Sequence, residues 1–77
     1  MDIDREKTLQ RLNGLEQQVA LGERHVAEQR ALIEKLEREG HDVKSATSLL
    51  ATLEESQRLH VEHRDRLEKE FLDSSRP

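Results

Sequence analysis

Leu12, Val19, Val26 and Ile33 recur every seven residues, and Leu15 and Leu36 stand three residues after the first and last of them. That alternation lays one apolar stripe along a helix, the seam of a coiled coil. Gly22 and Gln29 occupy the equivalent positions in between, so the stripe is interrupted by a small residue and then by a polar one. A second run follows the same period through Ala46, Leu53, His60 and Leu67, and Leu49, Ser56 and His63 are assigned to the positions between them. The two runs are separated by Gly40-His41-Asp42. Glycine just past a last helical turn takes the left-handed conformation that caps free carbonyls, and an aspartate two residues on accepts from the free N–H groups of a new helix. The pattern predicts a helix over about 3–39, a turn at 40–42, a helix over about 43–72 and a disordered tail at 74–77.

At 1.5 Å per residue each helix spans roughly 45 to 55 Å, and so short a turn forces the pair antiparallel. Folding about Gly40 sets Leu36 against Val43 and Ala46, Ile33 against Ala46 and Leu49, Val26 against Leu53, Val19 against His60, and Leu12 against Leu67. The expected fold is all-α, an antiparallel two-helix coiled-coil hairpin. Leu9, Leu21 and Leu32, with Leu50, Leu59 and Val61 on the second helix, fall outside this seam. A single seam buries too little to offset about 1.5 kcal/mol of ordering per residue. The surplus leucines therefore predict a homodimer of hairpins, a four-helix bundle; the alternative is a larger oligomer or a bundle completed by an unidentified protein partner.

Composition agrees with a thin interior. The 77 residues are 32% hydrophobic and 39% charged, and Phe71 is the only aromatic side chain. The absence of cysteine excludes disulfides and thiol chemistry. No run approaches the roughly 20 apolar residues of a membrane span, and the acidic start Met1-Asp2-Ile3-Asp4 is unlike a signal peptide, so a cytoplasmic protein without membrane contact is expected. Net charge is −4 with both signs interleaved, which gives no electrostatic footprint for nucleic acid.

Candidate chemistry is confined to histidine. His60 and His63 are three apart and share a helix face, as two imidazoles of a zinc or copper site would. The Glu-x-x-His pairs of a diiron bundle are missing: Gly22, Arg38, Gln57 and His60 precede the four histidines at that spacing. Polar seam residues that fix register account for the same pair without any ligand. A phosphotransfer histidine would suit a helical hairpin, yet neither His25 nor His60 and His63 carries the surrounding motif. The serines lack a glycine elbow, so no enzyme, cofactor or catalytic residue is expected. The expectation is a non-enzymatic protein–protein interaction or regulatory module; the alternative is a histidine-based metal-binding or phosphotransfer module centred on His60 and His63.

Glu39-Gly40-His41-Asp42, the run from Leu49 to Gln57, the run from Leu59 to Leu67 and Val19-Ala20-Leu21-Gly22-Glu23-Arg24-His25-Val26 together resemble a group of short, uncharacterised alphaproteobacterial proteins. The resemblance covers about residues 15 to 70. It implies a bacterial cytosolic setting and brings no activity with it.

Overall fold

The computed structural model describes residues 2–74, with side chains from residue 4 onward. Two helices, α1 (Asp2–Arg38) and α2 (Lys44–Ser74), pack against each other as a hairpin, and no strand occurs among the described residues. The hairpin extends 60 × 14 × 14 Å between Cα positions. Helix α2 runs two residues beyond its expected end, so Ser74 belongs to the helix and not to the tail; its hydroxyl donates to the Phe71 carbonyl at 2.8 Å. Residues 75–77 of that expected tail lie outside the described residues.

The turn is built by two capping devices. Gly40 has φ of 75°. With that residue left-handed, the Gly40 N–H donates to the Glu37 carbonyl at 3.1 Å and the His41 N–H to the Leu36 carbonyl at 2.9 Å, the paired bonds that close a helix C-terminus. Asp42 then opens α2 by accepting the Lys44 N–H on Oδ1 at 2.9 Å. The Thr47 N–H to Val43 carbonyl bond, 2.8 Å, follows as the first turn of the new helix.

Burial traces the seam. In α1 the sheltered positions are Leu12, Leu15, Val19, Gly22, Val26, Gln29, Ile33 and Leu36, alternating three and four apart. In α2 they are Ala46, Leu50, Leu53, Gln57, His60, Arg64, Leu67 and Phe71, with Val61 beside them. Leu49 is thus a correction. It is 50% exposed, while Leu50 takes the seam position, and Gln57 and Arg64 replace Ser56 and His63. The row 46, 53, 60, 67 can be completed by residues three or four further on, and both choices keep the heptad period. In this hairpin α2 is rotated toward the residues four further on, which brings Leu50 and Phe71 inward and turns the polar Ser56 and His63 out. In heptad letters, Val19 and Gln57 are a residues, and Gln29 and His60 are d residues.

The seam is shallow. Among the described residues Leu12, Val19 and Leu67 are the only buried apolar side chains, none of them completely enclosed, and six leucines, at 9, 21, 32, 49, 59 and 72, stay exposed. Accessible surface is 6179 Å². A compact monomer of this mass would expose about 4,900 Å². The excess follows from shape, since two helices share one mutual face and leave three others to solvent.

Two glycine substitutions separate the turn from the helix. Nothing lies within 4 Å of a Cβ placed on Gly14 or on Gly40, but only Gly40 is left-handed. Gly14→Ala should stabilise the protein by about 1 kcal/mol. Gly40→Ala should cost roughly 1 to 2 kcal/mol for the strained backbone. Thermal melts followed by circular dichroism, at one fixed protein concentration, check both signs.

Candidate functional site

Four polar side chains, Gln29, Gln57, His60 and Arg64, interrupt the seam among the described residues. Gln29, 9% exposed, donates from Nε2 to the Ala46 carbonyl at 2.9 Å. Gln57 does the reverse from α2, donating from Nε2 to the Val19 carbonyl at 2.8 Å. Each helix therefore sends one amide to a backbone carbonyl of the other. A Cβ on Gly22 would fall 1.8 Å from Gln57 Oε1, so the missing side chain at 22 is what lets the Gln57 amide lie across α1. Gln57 Oε1 and His60 Nδ1 are buried without a hydrogen-bond partner. Sequence reading took Gly22 for an interruption of the stripe and missed Gln57 entirely. The available signal was that a small and a polar residue stand at facing positions of the hairpin.

The two flanks of the seam differ in chemistry. In an antiparallel pair the e positions of both helices line one side and the g positions line the other. Glu16, Glu23, Arg30, Glu37, Glu54 and Glu68 hold e positions, which makes that flank acidic. Arg30 crosses it to Glu54, Nη2 to Oε2 at 2.6 Å, in place of the Glu54–Arg58 pair that spacing along α2 would suggest. Arg58 binds Glu55 and Glu62 instead, and its guanidinium holds the Glu55 carboxyl below the usual carboxylate range. Both of those pairs are solvent-exposed and add little to stability. A hollow between the helices on this side is floored by Val26, Ala27 and Val61 and rimmed by Arg30 and Glu54.

On the opposite side the central g positions are Gln18, His25 and Leu32 in α1 and Leu49, Ser56 and His63 in α2. None carries a fixed charge. Leu21 and Leu59, one position further round each helix, widen the strip. A shallow groove lined by His25, Glu28, Gln29, Leu32 and Leu53 runs along this side.

The candidate ligand pair is separated by this geometry. His60 lies in the seam, half-buried, whereas His63 is exposed on the g flank. Among the described residues no three His, Asp or Glu side chains converge on a point where they could hold a metal ion. His41 sits in the exposed turn, with Nε2 3.8 Å from Glu39 Oε1. No helix among the described residues is long and apolar enough to cross a membrane.

Comparison with protein-family models, with curated proteins and with solved structures finds no match. Functional inference therefore rests on the surfaces themselves.

Two experiments probe the seam. In a double-mutant cycle, Gly22→Ala should be more favourable in a Gln57→Ala background than in the wild type by about 1 to 2 kcal/mol, because the new methyl group displaces the Gln57 amide only when that amide is present. Additive effects would mean that Gly22 and Gln57 are independent. His60→Leu should raise stability by roughly 1 kcal/mol, since it removes a buried nitrogen that has no partner. A lower melting temperature would show that His60 makes a compensating contact.

Proposed function

We propose that this chain is a non-enzymatic protein–protein interaction or regulatory module of the bacterial cytoplasm, working as a dimer of hairpins in a four-helix bundle. The observation that supports this most directly is the unburied apolar surface. Six leucines remain exposed on a hairpin that buries three apolar side chains, and its surface exceeds that of a compact monomer by about 1,300 Å². A standard interface takes about 800 Å² from each partner, so one association absorbs much of that excess. The acidic e flank then remains available to select partners by charge.

The competing reading, a metal-binding or phosphotransfer module centred on His60 and His63, has less behind it. His60 turns into the seam, where its Nδ1 is sealed from solvent, and His63 stands alone on the flank.

Light scattering at micromolar concentration should return about 18 kDa, twice the 9.0 kDa chain. A folded 9.0 kDa particle would exclude the dimer. Zinc should leave the melting temperature unchanged; an increase abolished by His60→Ala and His63→Ala would instead favour the histidine module.

A further inference from the structure

The dimer reading leaves open which face is shared and how the two hairpins are oriented. Building on that reading, we infer that a second copy of this chain covers the g flank, with the two hairpins packed head-to-tail so that α1 lies along its own counterpart and α2 along its own.

Choice of face follows from charge and area. The e flank carries five glutamates, 16, 23, 37, 54 and 68, against one arginine, Arg30, and pairing it with itself would bring like charges together. The g flank offers four exposed leucines, 21, 32, 49 and 59, and Glu28 is the one fixed charge among the side chains between them. Centred on the four leucines, the shared stretch of one 14 Å wide side is roughly 40 Å long and projects on the order of 600 Å², at the lower end of what each partner of a stable dimer contributes.

Orientation follows from the order of residues along that face. Leu21 stands beside Leu59 and Leu32 beside Leu49, as two leucine pairs with His25, Glu28, Thr52 and Ser56 between them. A twofold axis crossing the helices midway between the pairs sets Leu21 on Leu32 of the second copy and Leu49 on its Leu59. The same axis brings His25 to the second copy's Glu28, Thr52 to its Ser56, and Asp42 to its Arg66. Leucine thus meets leucine, hydroxyl meets hydroxyl, and the charged groups meet opposite charges or an imidazole. A twofold axis running along the hairpin also stacks leucines. However, it gathers Glu39 and Asp42 of both copies at one end, where like charges repel.

The test uses the full chain. Leu32→Lys and Ala27→Lys each place a lysine four residues after a glutamate, Glu28 and Glu23, on opposite flanks, so each gains the same kind of pair along α1. Leu32→Lys should raise the dimer dissociation constant at least about a hundredfold, by setting a charge against the second copy's leucine. Ala27→Lys should change it less than about threefold. Because the chain has no cysteine, His41→Cys accepts a single spin label at the turn. Two labels should lie roughly 40 Å apart head-to-tail, and within about 20 Å if the turns sit together. Loss of the dimer in Ala27→Lys, with retention in Leu32→Lys, would overturn the face while leaving association intact. A short label distance would overturn the orientation. A folded wild-type monomer would overturn both this inference and the dimer beneath it.

Discussion

Two helices have only one mutual face, and this limit governs the rest of the molecule. A residue placed on the seam is sheltered by the partner helix, and a residue anywhere else is wet. The chain nevertheless carries more leucine than one seam can hold, so its surface is partly apolar by construction. In larger domains a third element would cover that surface. Here the described residues contain no third element, and the flanks keep whatever character the sequence assigns them. Their asymmetry, acidic on one side and leucine-rich with few fixed charges on the other, is therefore the main functional information the fold exposes.

Much of the architecture was legible from spacing. The seven-residue row through Leu12, Val19, Val26 and Ile33 leaves only one face for α1, because residues three further on are uncharged and residues four further on are all charged. Gly40 and Asp42 mark the turn because each performs a backbone task few other residues do well. The second helix was less transparent. Leu49 and Leu50 are adjacent and equally apolar, so the period alone does not say which one points inward. The decision comes from the far end, where Phe71 and Arg64 follow the Leu50 row and His63 and Ser56 follow the Leu49 row. Gln57 was overlooked for a similar reason: a glutamine at a seam position reads as a defect until a backbone carbonyl and an empty Cβ site are found opposite it.

The glutamines invite an explanation beyond register. Register is already set by the short turn, since a slip of one heptad would need several more residues between Leu36 and Ala46 than the chain provides. What the turn does not decide is which face of each helix looks inward. Leu21, Leu32, Leu49 and Leu59 form a second, smaller apolar strip, and a hairpin rotated to bury that strip would recover part of the hydrophobic energy of the seam. Gln29 and Gln57 add to the preference for the seam. Their amides reach the Ala46 and Val19 carbonyls only when the seam faces inward, and Gly22 provides the space one of them needs. Rotation of either helix would forfeit both bonds, each contributing about 1 kcal/mol, and would press Glu28 toward the partner helix. The polar interruptions thus give up some burial to separate two competing faces, one for the hairpin and one left free for association.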